Sequence, residues 1–223
     1  MINYAHRGAS EYAPENTLSA FYLGLMQGAN GIETDVQKTR DGVLVLFHDD
    51  TVDRVSDGSG KIADYTWEEL RKLKIYGNCT TGYYDRVVTL REFLEKLSQY
   101  PIKFAIELKG ADVEEETLDM VKEFGVLDKT TFTSFAFEYI HKIKQLDSGA
   151  RVGLLTSCVD DELIHRLQEI GCEEIAPQAE QITVEQMDRW RALGFGVRAW
   201  AVYTLVSGDQ FCSRNINNHS YPS

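Results

Sequence analysis

Lys103-Phe104-Ala105-Ile106-Glu107-Leu108-Lys109 alternates residue by residue, with Phe104, Ile106 and Leu108 on one face and Ala105, Glu107 and Lys109 on the other. That period of two is the signature of a β-strand. The segment before it, residues 90–97, reads as a helix, and the same helix-then-strand unit recurs down the chain. Helix 113–124 precedes strand 131–135, helix 137–146 strand 151–156, helix 161–170 strand 174–177, and helix 184–193 strand 196–203. Repeats of this kind imply parallel strands with helices outside them. So many units in one domain favour an α/β fold of the TIM (β/α)8 barrel type over an open doubly wound sheet. One face of each strand is then the barrel interior: Phe104, Ile106 and Leu108 pack outward on helices, while Glu107 and Lys109 point in.

The same reading extends toward the amino terminus. Residues 2–6 form a short buried strand, and residues 15–29 carry Leu18, Phe21, Tyr22, Leu25 and Met26 at helical spacing. Strand 32–38 follows, with Ile32, Thr34 and Val36 outward and Glu33, Asp35 and Gln37 inward. Asp41-Gly42 is a turn signal, after which the apolar run 43–47 delivers His48 at its end. Residues 49–88 are irregular, apart from a helical interlude at 66–73 opened by the capping-box pair Thr66 and Glu69. They read as an excursion on the barrel rim, of a length that is usually functional. Seven barrel strands are counted. Residues 204–223 are polar and show no strand-like run, so the barrel domain spans 1–203, an atypical tail replaces the last helix and strand, and no eighth strand is predicted. The first and seventh strands are expected to have bare edges.

With 223 residues the chain is long enough for one sizeable core, and its net charge of -12 with no cluster of Lys and Arg speaks against a nucleic-acid partner. The start lacks a signal-peptide pattern, and no run reaches the ~18 apolar residues of a membrane helix. A soluble, cytoplasmic protein without stable membrane association is expected. Cys79, Cys158, Cys172 and Cys212 are scattered, which fits reduced thiols.

The inward faces bring Glu33, Asp35 and Glu107 to the barrel mouth. Three crowded carboxylates repel one another, and a divalent cation removes that cost. Oxygen-only ligands favour Mg²⁺ or Ca²⁺. The competing account is a salt-bridge network in which Arg7 and Lys109 neutralise the acids. It is the stronger account for any single pair, and the weaker one for three strands that all end in charge at the catalytic face. His6 and His48 also lie at strand ends beside this cluster and suit general acid and base roles. His141 and His165 fall within outer helices, His219 in the tail, and none of the three is given a role. Arg7 and Lys109 are candidate phosphate ligands. Trp200 either walls the pocket against an alcohol group or packs in the core.

Taken together, His6-Arg7-Gly8, Pro14-Glu15-Asn16-Thr17, Glu33-Thr34-Asp35-Val36, Asp41-Gly42, Phe47-His48-Asp49, Arg54, Glu107-Leu108-Lys109, Ser134-Phe135 and Val197-Arg198-Ala199-Trp200 resemble the glycerophosphodiester phosphodiesterases. The resemblance runs in order from about residue 2 to residue 203. It implies a TIM barrel with a small insertion after the second strand and a divalent cation held by Glu33, Asp35 and Glu107. It further implies a catalytic pair His6 and His48, phosphate contacts from Arg7 and Lys109, and a small-molecule substrate such as glycerophosphocholine or glycerophosphoethanolamine, cleaved to glycerol 3-phosphate and an alcohol. The tail departs from the family pattern. The alternatives are a barrel related to phospholipase C or sphingomyelinase D, and a metal- and phosphate-binding barrel without turnover.

Overall fold

The computed structural model describes residues 2–77 and 83–200, and the backbone of 216–217. The chain opens with β1 (Tyr4–His6), α1 (Leu18–Met26), β2 (Gly31–Lys38) and β3 (Leu44–Leu46). The rim insertion carries α2 (Trp67–Leu70), β4 (Ile75–Tyr76), β5 (Tyr84–Asp85) and β6 (Val88–Thr89). Regular alternation follows: α3 (Leu90–Leu97), β7 (Lys103–Leu108), α4 (Glu114–Glu123), β8 (Thr130–Ser134), α5 (Phe137–Leu146), β9 (Arg151–Thr156), α6 (Asp161–Glu169), β10 (Glu174–Pro177), α7 (Val184–Ala192) and β11 (Gly196–Val197). A last pair of residues, Ile216–Asn217, forms β12.

The principal sheet runs β11-β10-β9-β8-β7-β2-β1-β12, and β3 and β6 branch from β2 as an antiparallel ladder. β1, β2 and β7 to β11 pair in parallel, which gives the seven parallel strands of a TIM-barrel-type fold. The outward residues behave as their parity requires. Ile32, Val36, Phe104, Ile106 and Leu108 are buried in one apolar core with Phe21, Phe93, Leu118, Ile140, Ile164 and Trp190 from the helices. Val45, Phe47, Val52, Val55, Ile62, Leu70 and Ile75 make a second, smaller core that anchors the rim insertion.

The edges depart from expectation in three places. The helix read as 15–29 starts at Leu18, because the Thr17 side chain accepts the Ala20 N–H and caps it there. The outer edge of β1, expected to be bare, is paired antiparallel by β12, with Tyr4 opposite Asn217 and Ala5 opposite Ile216. Two polar-flanked residues carry no strand period, so nothing local announces this pairing, and its antiparallel sense is unlike the parallel barrel strands. Among the described residues the last barrel strand, read as 196–203, is a ladder at Gly196–Val197 with one further bridge from Trp200 to Gln178. Residues 201–203, the tail apart from the backbone of 216–217, and with it Cys212, and Cys79 lie outside the described residues.

Candidate active site

The turn from β1 into α1 sets the mouth of the barrel. Gly8 takes φ +80, and a Cβ there would stand 2.5 Å from the Ala20 carbonyl carbon. Only glycine lets strand and helix approach this closely. Arg7 and Asn16 on either side also have left-handed backbone, φ 56 and 57, and the Asn16 N–H donates to the Arg7 carbonyl at 3.0 Å. Positive φ in non-glycine residues is uncommon and clusters at functional sites.

Inside this turn the ligand atoms of Glu33, Asp35 and Glu107 lie within 4.8 Å of one another, all three buried. Asp35 receives the Asn16 amide N–H at 2.8 Å, and Asn16 in turn accepts from Thr34 Oγ1 at 2.7 Å. Arg7 Nε stands 3.4 Å from Asp35 Oδ2, and Lys109 Nζ stands 3.4 Å from Glu107 and 3.9 Å from Asp35. The two cations therefore do pair with the acids, as the network account requires. The pairing leaves two of the three acids raised. Burial, and then the neighbouring Asp35, push Glu107 up to about 7. Burial and the same neighbour hold Glu33 well above the usual carboxylate range. Asp35 is also buried, but Arg7 leads the opposing influences and keeps it below its ordinary value. Its Oδ1 is buried without a hydrogen-bond partner. Crowded carboxylates of this kind, one oxygen orphaned, fit a hard divalent cation.

The histidines differ in surroundings. His6 Nε2 is 3.8 Å from Glu33 Oε2, and burial, followed by the charge of Arg7, lowers its pKa to about 4. His48 Nδ1 lies 2.6 Å from Asp49 Oδ1. Burial of Asp49 is outweighed by hydrogen bonds from Arg54 and His48, so its carboxyl falls to about 2. The Gln37 amide, inward on β2, donates to the carbonyls of Phe47, His48 and Asp49 and fixes the backbone that carries the imidazole. Trp200 packs edge-on to Phe135, ring centroids 5.4 Å apart, at the carboxyl end of β8. Glu15, Asn16, Gln37, Asp49 and Arg54 had no role in the sequence reading. The Thr17 cap was the one local signal for two of them, because a helix that starts at Leu18 frees Glu15 and Asn16 to turn into the mouth.

The family model for glycerophosphoryl diester phosphodiesterases matches residues 6–214. The chain belongs to that family. It is accordingly a phosphoric diester hydrolase. A glycerophosphodiester phosphodiesterase of Caldanaerobacter subterraneus subsp. tengcongensis is 32% identical over 206 residues, 89% of this chain and 84% of that protein. A phosphodiesterase of Oleispira antarctica, solved in complex with the product sn-glycerol-3-phosphate, superposes with a TM-score of 0.78 at 30% identity, covering 90% of this chain and 84% of that one. The glycerophosphodiester phosphodiesterase of Thermotoga maritima gives 0.74 at 26% identity over 92% and 87%. No helix among the described residues is long and apolar enough to cross a membrane.

Proposed function

We propose that the protein hydrolyses small glycerophosphodiesters, such as glycerophosphocholine or glycerophosphoethanolamine, to glycerol 3-phosphate and the free alcohol in the cytoplasm, and that it requires a divalent cation, Mg²⁺ or Ca²⁺. The observation that carries this reading is the convergence of Glu33, Asp35 and Glu107 within 4.8 Å, beside two histidines and two cationic side chains. Glu33, Asp35 and Glu107 would hold the cation, which supplies charge neutralisation and polarises a phosphoryl oxygen. Arg7 and Lys109 contact the remaining phosphoryl oxygens and offset the charge that develops on them.

The two imidazoles divide the proton work. His6, with its pKa lowered to about 4, is neutral at pH 7 and able to accept a proton. It takes that proton from the attacking oxygen as the new phosphorus–oxygen bond forms; water gives glycerol 3-phosphate directly, and the substrate's own 2-hydroxyl gives a cyclic phosphate that a second attack, by water, opens to the same product. The Asp49 carboxylate accepts from His48 Nδ1, 2.6 Å away, which fixes the ring and leaves Nε2 as the nitrogen for proton transfer. Nε2 gives its proton to the alcohol oxygen as the other phosphorus–oxygen bond breaks. Trp200, edge-on to Phe135, walls the alcohol side of the pocket.

The test is release of glycerol 3-phosphate from glycerophosphocholine with EDTA, then with Mg²⁺ or Ca²⁺ restored. Turnover should stop with the chelator, return with the cation, and fall roughly 10²-fold or more in His48→Ala. Activity that survives both EDTA and His48→Ala overturns the reading.

A further inference from the structure

A chain of five polar side chains, two of them carboxylates and two guanidinium groups, runs across the barrel mouth, and the residue at its centre lies in the rim insertion. Arg54 Nε donates to Asp49 Oδ2 at 2.5 Å, while its two terminal nitrogens donate to Glu15 at 3.0 and 2.7 Å. The other oxygen of Asp49 meets His48 Nδ1 at 2.6 Å, and Glu15 Oε1 also receives Arg7 Nη1 at 3.2 Å. The guanidinium thus spans two carboxylates from two edges of one rigid plane, which a lysine ammonium has no geometry to do. Its backbone is held on both sides, because Val52 and Val55 are buried in the second core. Glu15 is only 10% exposed, and bonds and charge from Arg54 and Arg7 keep its carboxyl below the ordinary range against the effect of burial. Two carboxylates and two guanidinium groups offset one another along the chain.

We propose that Arg54 is a positioning residue for the reaction. By occupying one oxygen of Asp49 it leaves the other for His48 and fixes that imidazole with Nε2 toward the departing alcohol. Through Glu15 it sets the reach of Arg7 by the same plane. The proposal rests on the reading of His48 as the proton donor. An effect that passes through the donor depends on how much the leaving group needs a proton. The alkoxide of choline needs one; p-nitrophenolate departs without it.

The experiment compares kcat on glycerophosphocholine and on glycerol phospho-p-nitrophenol for wild type, Arg54→Ala, Arg54→Lys and His48→Ala, with thermal unfolding as the control for folding. Arg54→Ala should lose roughly 10²-fold on the choline ester and about tenfold less than that on the p-nitrophenyl ester. Guanidinium chloride added at millimolar concentration should restore part of the choline-ester rate. Arg54→Lys, which keeps the charge without the fork, should show the same selective loss, and it carries the test if Arg54→Ala does not fold. Equal loss on both esters, or a change confined to KM, overturns the proposal. The His48→Ala arm separates the two readings. If it discriminates between the esters and the Arg54 variants do not, the role of Arg54 falls alone. If His48→Ala loses both esters equally, the donor role of His48 falls and the role of Arg54 with it.

Discussion

Asn16 shows how much one side chain holds in place. Its amide donates to Asp35 at 2.8 Å, accepts from Thr34 at 2.7 Å, and sits on left-handed backbone that asparagine tolerates better than most residues. Asn16→Ala removes the side-chain amide that donates to Asp35 and leaves a residue without a compensating amide at φ 57. A buried polar group left unpaired costs about 1–3 kcal/mol, so urea unfolding should show a loss of that size, together with weaker cation binding. Glu33→Gln is expected to separate stability from turnover. Glu33 is buried against Asp35 and Glu107, and its charged form is disfavoured in the fold. Replacing it with the neutral isostere should leave the EDTA-treated protein as stable as wild type or more so. Activity should meanwhile fall by more than the ~10–100-fold seen on losing an outer-sphere partner of a metal site. A variant that unfolds earlier than wild type in EDTA contradicts the account of carboxylate crowding.

At the level of elements, the residues that end helices and strands decide what the sequence discloses. Helix α5 and strands β9 and β10 have the bounds their periodicity announces, since each buries a regular stripe against its neighbours. Helix α1 does not: its apolar positions begin at Leu18, and the Thr17 cap starts the helix there rather than at residue 15. That cap keeps Glu15 and Asn16 in the active-site turn. Thr17→Ala should cost about 1 kcal/mol by urea denaturation. Turnover should fall with it as the turn loosens. Gly8→Ala is the severer change: a Cβ 2.5 Å from the Ala20 carbonyl carbon, on backbone at φ +80, forces β1 and α1 apart. A loss of at least 3 kcal/mol is expected, as for overpacking combined with a disfavoured backbone, read from the unfolding midpoint.

For the whole molecule, the barrel was legible because every strand-helix unit must bury an apolar stripe, a requirement written locally and repeated. The acidic triad was legible for the same reason, since parity along β2 and β7 sends Glu33, Asp35 and Glu107 inward. The chain from His48 to Arg7 and the β12 edge pairing were not, because partners 39 residues apart in the case of Glu15 and Arg54, or at opposite ends of the chain in the case of Ala5 and Ile216, meet only once the fold exists. The triad also governs how stability responds to pH and to the cation. Burial and Asp35 raise Glu107 from 4.5 to about 7, so the folded, metal-free chain keeps a proton that the unfolded chain releases over that range. A raised carboxyl contributes stability that is complete below the unfolded value and lost as pH rises through the folded one, by roughly 3 kcal/mol for a shift of this size. In EDTA the unfolding midpoint should therefore drop as pH climbs from about 5 to about 7.5. A divalent cation that binds the ionised carboxylates of the folded chain alone would add about 3 kcal/mol at a hundredfold excess over its Kd, with protons released on binding. With millimolar Mg²⁺ or Ca²⁺ the decline should flatten or reverse, and the two curves should separate most at the alkaline end. Superimposed curves with and without the cation would mean that the triad is neutralised by Arg7 and Lys109 alone, and the metal site would have to be withdrawn.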